Sequence, residues 1–303
     1  MAAIEVFVAG SLHFDVVVTA PRLPRRDETL AGLDLAFVCG GKGANQAVAA
    51  ALHGARTAMA GRVGDDLFAP RLLAHLDAAG VERSQLQVGE NSTSGMSVAI
   101  VDRAGDYGAV IVSGANLDLQ TARISVPEGA RIVVLQNEIA EAANIDVARK
   151  ARAVGARVLL NAAPVRDPSA ELLGLVDLLV VNRIEAAAMA GLEVATQEDA
   201  QAAASRLTTA SRSAIVTLGA DGVVSRDRRG VAGPHSAFEV DVVTTHGAGD
   251  VFVGALARCL AAGAAMEAAI RYVQAAAALH VSTPVSGRLA IGPAQVRDLL
   301  AEA

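Results

Sequence analysis

The residues best suited to carry chemistry lie in the stretch Thr244–Phe252, which contains Gly247, Ala248, Gly249 and Asp250. Small residues at the start of a helix leave backbone N–H groups free at its positive end, and that arrangement suits a phosphate group. A carboxylate just inside such a turn can accept a proton from a nucleophile that attacks the phosphate. The alternative is a tight turn in which Asp250 caps its own helix.

The segments on either side of this stretch predict a strand followed by a helix. The apolar run Phe238–Val243 favours an extended strand, and the Ala-rich run Val251–Ala262 favours a helix. A second glycine-rich turn, Cys39–Gln46, precedes an Ala/Val helix that ends near Leu52. It is not a Walker A motif, because Lys42 is followed by glycine and the glycine spacing differs. A structural turn and a ligand site both remain open for it.

The composition limits the class of protein. The chain has 303 residues, 52% of them hydrophobic, no Trp and a net charge of −6. This acidic balance, without a run of Lys or Arg, predicts no nucleic-acid partner and no membrane surface. The two cysteines, Cys39 and Cys259, form no CxxC pair and favour core packing. The N-terminal residues predict a strand rather than a signal peptide, and we expect a cytoplasmic protein.

The elements that must position these turns alternate regularly from residue 131 onward. Predicted strands are Ile132–Leu135, Arg157–Leu160, Asp177–Val181 and Ala214–Leu218, and predicted helices are Ala140–Val154, Arg183–Ala190 and Gln197–Thr208. Such alternation predicts a parallel sheet that binds ligands at the carboxyl ends of its strands. Polar residues follow these strands at Gln136–Glu138, Asn161, Asn182–Glu185 and Thr217–Gly222.

The first third of the chain departs from this rhythm. Strands are predicted at Ile4–Ala9 and Arg56–Ala60, with a turn at Gly61–Asp66. A hairpin is predicted at Ser94–Val101 and Gly108–Ser113, around a turn at residues 102–106. Together with residues 12–40, this hairpin predicts a small sheet that stands off the main one. We therefore expect one domain over residues 1–303, with lid segments at about 12–40 and 94–113.

Taken together, these stretches resemble the ribokinase-like (PfkB-type) carbohydrate kinases over essentially the whole chain. The motifs that carry the resemblance are Gly10–Asp15, Gly40–Gln46, Gly61–Asp66, the pair Asn182 and Glu185, Thr217–Gly219, and Gly247–Asp250. The resemblance implies an α/β fold with a mainly parallel central sheet, helices on both faces and a small β lid over the sugar. It also implies ATP and Mg²⁺ as cofactors.

The same resemblance assigns roles to individual residues. Asp250 is implied as the general base, and the N–H groups of Gly247, Ala248 and Gly249 as the anion hole. The implied sugar-binding residues are His13, Asp15, Gly41, Lys42, Asn45 and Glu138. The implied nucleotide-binding residues are Asn182, Thr217, Gly219, Gly222 and Gln274, and Glu185 acts on Mg²⁺ through water.

Three positions depart from the family pattern. His13 stands where ribokinase-like proteins usually have Asn, and an imidazole changes both size and hydrogen bonding, which weakens the expectation of ribose itself. Thr244 and Leu289 stand where a carboxylate and a serine hydroxyl hold a monovalent cation, so we predict weak or absent activation by K⁺. Arg288 either supplies positive charge near the anion hole or faces solvent.

The predicted function is transfer of the γ-phosphoryl of ATP to a primary hydroxyl of a small sugar, such as ribose, a related pentose or a ketohexose. A nucleoside or pseudouridine kinase of the same fold is the alternative enzyme. A catalytically silent sugar-binding regulator is the alternative from another class. The lid suggests a homodimer by analogy alone.

Overall fold

The computed structural model describes residues 3–102, 107–227 and 230–302, and residues 103–106 of the predicted turn lie outside them. The strands are β1 Val6–Ala9, β2 His13–Thr19, β3 Asp34–Gly40, β4 Thr57–Gly64, β5 Glu82–Gly89, β6 Gly95–Val101, β7 Tyr107–Val112, β8 Ile132–Gln136, β9 Arg157–Asn161, β10 Leu178–Asn182, β11 Ser213–Thr217, β12 Val223–Asp227 and β13 Gly230–His235. The helices are α1 Lys42–Leu52, α2 Ala69–Ala78, α3 Glu141–Ala153, α4 Ala170–Leu175, α5 Arg183–Ala190, α6 Gln197–Leu207, α7 Ala248–Ala261, α8 Met266–Ser282 and α9 Pro293–Glu302.

A mainly parallel sheet forms the centre of the molecule, in the order β13-β12-β11-β10-β9-β8-β1-β4-β5. The neighbours from β11 to β5 pair in parallel, whereas β12 and β13 are antiparallel. The central strands are continuously apolar because helices cover both faces. Val6 and Val8 belong to the core of one face and Phe7 and Ala9 to the core of the other. The predicted fold class is confirmed.

A second sheet, in the order β3-β2-β6-β7, stands off the central one. Its strands come from the two segments predicted to form the lid, and β2 and β6 pair in parallel along their whole length. His13 begins β2, directly after the turn that follows β1, so the first of the predicted sugar-binding residues lie where the two sheets meet. The lid strands thereby extend from the edge of the expected ligand site. The assignment of the whole chain to one domain stays a prediction.

Three sequence predictions about local structure were wrong. Phe238–Val243 forms no strand: the Arg271 guanidinium lies 4.0 Å from the Phe238 ring centroid, and Val243 N donates to Val281 O. This apolar run is therefore anchored by α8 rather than by a sheet. The predicted turn Gly61–Asp66 begins too early, because β4 continues to Gly64. Helix α7 begins at Ala248, before the predicted start at Val251.

Several elements were not predicted at all: β5, β12, β13, α4, α8 and α9. They lie at the edges of the central sheet or outside the regular alternation, where apolar periodicity is weak. None of the helices in residues 3–102, 107–227 and 230–302 has both the length and the apolar character that crossing a bilayer requires.

Candidate active site

Asp250 lies in the first turn of α7, at the end of the glycine-rich stretch. The residue before the helix is Gly247, with a φ of 81°, and no side chain caps the helix. The Asp250 carboxylate is buried and accepts hydrogen bonds from two other side chains: Asn45 Nδ2 donates to Oδ2 and Gln46 Nε2 to Oδ1, each at 3.0 Å. The alternative in which Asp250 caps its own helix is therefore wrong, because its oxygens face α1.

The N–H groups at the start of α7 are only partly available to an anion. Ala248 N donates to Thr245 O over 3.2 Å, which closes the turn. This differs from the predicted anion hole, in which Ala248 N–H faces the phosphoryl. Gly249 and Asp250 lie in the first turn, where backbone N–H groups have no partner within the helix. The anion-binding end of α7 in this structure therefore depends on these positions and on Gly247.

Buried amide side chains connect Asp250 to the central sheet. Gln46 Nε2 also donates to Asn161 Oδ1 at 3.0 Å, and Gln136 Nε2 donates to Gln46 Oε1 at 2.8 Å. Gln136 and Asn161 are the last residues of neighbouring strands β8 and β9, and all three amides are buried. Sequence reasoning noted the polar strand ends but gave these residues no role. The network fixes the orientation of the Asp250 carboxylate.

Glu138 connects the turn after β1 with the start of α1. Its Oε2 accepts from Lys42 N at 2.9 Å and from the Ser11 hydroxyl, and it lies 4.0 Å from His13 Nδ1. His13 is buried, and its Nε2 has no hydrogen-bond partner among the residues that the structure describes. The turn at Gly41, which has a φ of 91°, allows this close approach because an added Cβ would lie 2.7 Å from His13 N. The structure thus brings four predicted sugar-binding residues together: His13, Gly41, Lys42 and Glu138.

Asp15 lies on the lid, in β2. The Ser97 hydroxyl from β6 donates to Asp15 Oδ1 at 2.5 Å, and Asp15 is buried although the middle of β2 is half-exposed. An added Cβ on Gly40 would lie 2.4 Å from Asp15 Oδ2, so glycine leaves space for this carboxylate. Ser97 was not predicted, and only its register opposite Asp15 identifies it.

Lys42 carries a cationic side chain among the acidic groups of the site. Burial lowers its pKa, but the negative charges of Asp250, Glu138 and Glu185 outweigh this effect and leave the pKa raised. The ammonium group therefore stays charged at neutral pH. Its charge interacts with the carboxylates of the predicted sugar, catalytic and metal positions.

Asn182 and Glu185 form a reciprocal capping box at the start of α5. Asn182 Oδ1 accepts from the N–H groups of Ile184 and Glu185, while Glu185 accepts from Asn182 N at 2.8 Å and from Asn182 Nδ2 at 3.0 Å. Burial raises the pKa of Glu185, and only part of this effect is offset by the Asn182 hydrogen bond and Lys42. The described residues contain no group of three or more His, Cys, Asp or Glu side chains arranged for a metal.

The predicted nucleotide positions lie around the ends of β10 and β11. Thr217 pairs with Asn182 in the sheet register, and Gly219 and Gly222 take φ values of 64° and 91° in the turn that follows β11. Gln274, in α8, is buried and donates to the carbonyl oxygens of His235 and Ser236. Its contacts support the loop after β13, and within the described part of the chain its Oε1 has no hydrogen-bond partner.

The predicted cation positions contain neither of the expected side-chain ligands. Thr244 Oγ1 accepts from His246 N at 3.3 Å, and Leu289 is a half-exposed apolar residue. Arg288 turns toward the loop before α7 and donates to the carbonyl oxygens of Thr244 and His246. The alternative in which Arg288 faces solvent is therefore wrong.

Comparison with known proteins identifies the family of this chain. The model of the pfkB family of carbohydrate kinases matches residues 3–288. Ribokinase of Bacillus subtilis is 35% identical over 282 residues, covering 91% of this chain and 92% of the relative. Ribokinase of Haemophilus influenzae is 32% identical over 280 residues, covering 91% of each. The structure of Arabidopsis thaliana ribokinase complexed with ribose and ATP has a TM-score of 0.88 at 30% identity and covers 99% of both chains.

Proposed function

Because this chain belongs to the pfkB family of carbohydrate kinases and is an ATP-dependent sugar kinase, we propose that it phosphorylates a primary hydroxyl of ribose or a closely related pentose or ketohexose. One observation carries the catalytic part of the proposal. Asn45 and Gln46 hold the buried Asp250 carboxylate at the N-terminal end of α7. The predicted sugar-binding residues Glu138 and Lys42 belong to the same site, because Glu138 accepts from Lys42 N and, against the lowering effect of burial, the charges of Asp250 and Glu138 both raise the pKa of Lys42. A base next to an anion-binding helix end is what phosphoryl transfer to a hydroxyl requires.

In the proposed step, Asp250 accepts the proton of the sugar hydroxyl as its oxygen attacks the γ-phosphorus. A new oxygen–phosphorus bond forms, the bond to the β-phosphate oxygen breaks, and ADP leaves with that electron pair. The N–H groups at the start of α7 stabilise charge on the transferred phosphoryl group. Asn45 and Gln46 keep the carboxylate oriented toward the hydroxyl, which contributes through positioning.

The sugar is proposed to lie between the lid and the turn at Gly41. Asp15 and Glu138 accept hydrogen bonds from its hydroxyl groups, and Lys42 donates to one. The unpartnered His13 Nε2 supports a ligand contact at that atom, because buried polar groups otherwise have partners. His13 places an imidazole where the family usually has asparagine. Of the residues in this site, His13 therefore has the most direct effect on which sugar binds.

The nucleotide is proposed to bind across the ends of β10 and β11. Asn182, Thr217, Gly219 and Gly222 border this region, and Gln274 supports it through the loop after β13. The Arabidopsis relative was solved with ribose and ATP, which supports ATP as the nucleotide.

Mg²⁺ fits the residues present. Glu185 is a buried carboxylate whose oxygens each accept one hydrogen bond from Asn182, which leaves further acceptor positions. Mg²⁺ usually keeps several waters and binds through one or two carboxylates plus substrate phosphates, so it does not need a larger protein cluster. We propose that Glu185 would hold the hydrated ion while Asn182 orients its carboxylate. The ion would neutralise charge on the phosphate oxygens.

A substrate screen tests the proposal. ADP release is measured with pentoses, ketohexoses, sugar acids and nucleosides, for the native protein and for His13→Asn. We expect turnover with a small sugar, and we expect His13→Asn to shift kcat/KM toward ribose. The pentose assignment fails if a nucleoside is the best substrate. The role of His13 fails if the substrate ranking of His13→Asn is unchanged.

A further inference from the structure

Backbone carbonyl groups converge behind the anion-binding end of α7. The loop that leads to α7 runs against the C-terminal end of α8, where Val243 N and Thr244 N donate to Val281 O at 2.8 and 3.2 Å. This end of α8 carries the negative end of the helix dipole. The carbonyl oxygens of Thr244, His246 and Thr283 lie in the same region, so the surroundings of Gly247 would be electronegative without a cation.

The Arg288 guanidinium is the group that meets these oxygens. Its Nε donates to Thr283 O at 3.2 Å, Nη1 to His246 O at 3.2 Å and Nη2 to Thr244 O at 3.4 Å. Arg288 belongs to a short 3-10 helix, Val285–Ala290, so it joins that helix to the end of α8 and to the loop before α7. Its separate N–H groups each face a different carbonyl, which a single ammonium group could do less well.

His280 completes the same arrangement. Its Nε2 lies 2.9 Å from His246 O, and because a carbonyl oxygen only accepts, Nε2 carries the proton. His246 O therefore receives bonds from both His280 and Arg288. The carbonyl of His246 and the N–H of Gly247 belong to the same planar peptide group. Hydrogen bonds to that oxygen therefore also fix the direction of the Gly247 N–H.

We propose that Arg288 is a built-in cation that positions the anion-binding loop. Its guanidinium binds the carbonyl oxygens of Thr244, His246 and Thr283, fixes the peptide before Gly247 and offsets the negative charge of these oxygens near the transferred phosphoryl. Arg288 acts through the loop and is a positioning residue. The inference rests on the proposed kinase function. It also gives a reason for the predicted insensitivity to K⁺, because the guanidinium already occupies carbonyl groups that a monovalent cation could use.

The test compares Arg288→Ala and Arg288→Lys with a matched control, Arg297→Ala, which removes an exposed arginine from α9. We expect Arg288→Ala to lower kcat by at least about tenfold with little change in the sugar KM, because charge stabilisation is lost in the transition state. Arg288→Lys keeps the charge but has fewer directed donors, so its kcat should be intermediate. Methylguanidinium should restore a saturable part of the kcat of Arg288→Ala, and sodium chloride of equal ionic strength should not.

Each outcome decides a separate question. If Arg288→Ala keeps the native kcat, or loses it without rescue by methylguanidinium, the proposal for Arg288 is overturned while the kinase function stands. If the native protein releases no ADP with any sugar, the proposed function fails. Hydrogen exchange of the backbone amides of residues 240–250 tests, independently of turnover, whether Arg288 positions the loop before α7. Faster exchange in Arg288→Ala than in Arg297→Ala supports it, and equal exchange overturns it.

Discussion

At the scale of single residues, Asp15 is a carboxylate that the lid carries toward the predicted sugar. It is buried and, among the described residues, accepts a side-chain hydrogen bond only from Ser97, so it retains acceptor capacity for a ligand. A buried acceptor that loses its partner costs about 1–3 kcal/mol. We expect Asp15→Ala to raise the sugar KM by about tenfold or more, with a smaller effect for the control Ser97→Ala. Steady-state kinetics provide the measurement, and an unchanged KM in Asp15→Ala would place the sugar elsewhere.

Glu185 combines a helix cap with its proposed role in metal binding, and substitution separates the two roles. Glutamine at this position of a capping box keeps the cap, so Glu185→Gln should fold normally. We expect it to raise the Mg²⁺ concentration needed for half-maximal rate and to lower kcat, with the sugar KM unchanged. Asp199→Asn alters the similar capping box of α6 and serves as the matched control. Native Mg²⁺ dependence in Glu185→Gln would leave Glu185 as a cap alone.

At the scale of elements, α1 carries site residues at its N-terminal end, and a buried histidine that contacts a tyrosine follows its C-terminal end. Lys42, Asn45 and Gln46 begin the helix, and His53 follows it with Nδ1 at 2.9 Å from the Tyr272 hydroxyl. Burial, and then the charge of Arg258, lower the pKa of His53 from 6.5 to about 4. The folded protein therefore holds this ring neutral under conditions in which the unfolded chain would protonate it.

This depressed pKa predicts a pH-dependent stability. The contribution of the neutral His53 ring to the free energy of unfolding is fully present above the unfolded pKa of 6.5. It is lost as pH falls toward the folded pKa of about 4. The loss amounts to at most about 3 kcal/mol. Urea unfolding at several pH values should therefore show a steeper decline between these limits for the native protein than for His53→Gln. Parallel curves for the two proteins would show that His53 is not the titrating group.

The elements also show how far sequence alone reaches. The alternation after residue 131 predicted β8 to β11 and their helices, because buried parallel strands are continuously apolar. Edge strands such as β5 lack that signal. Phe238–Val243 has the composition of a strand but packs against α8, and only tertiary contacts reveal this. In the site, the motifs named Asp250 and Asn45 as candidates and left the position of Arg288 open. The contacts of Gln46 and Ser97 join residues distant in sequence, and the sequence alone did not indicate them.

At the scale of the whole molecule, the lid presents an unusual amount of apolar surface. On the face opposite Asp15, several large side chains are about half exposed or more: Leu35, Phe37, Val98, Val110 and Val112. A contiguous apolar patch of this kind marks an interaction surface. We propose that the lids of two copies of this chain pair in a homodimer, and that the dimer interface buries this face.

The dimer proposal is tested by sedimentation of the native protein, Phe37→Asp and Val110→Asp. We expect a concentration-dependent dimer for the native chain and a monomer for both variants, because an unpaired charge in an apolar interface is costly. Leu67→Asp changes a residue that is 88% exposed outside the lid and should leave the dimer intact. A native protein that remains monomeric at high concentration would contradict the proposal.

The central claim is that Asp250 takes the proton of the sugar hydroxyl, and Asp250→Asn tests it most directly. The amide keeps the shape of the side chain but removes the proton acceptor, and a positioned base contributes about 10²–10⁴-fold. We predict a folded protein with nearly native nucleotide affinity and a kcat lower by at least about 10²-fold. Turnover, nucleotide binding and melting temperature are measured on the same preparation. A folded Asp250→Asn protein with near-native turnover would contradict the account.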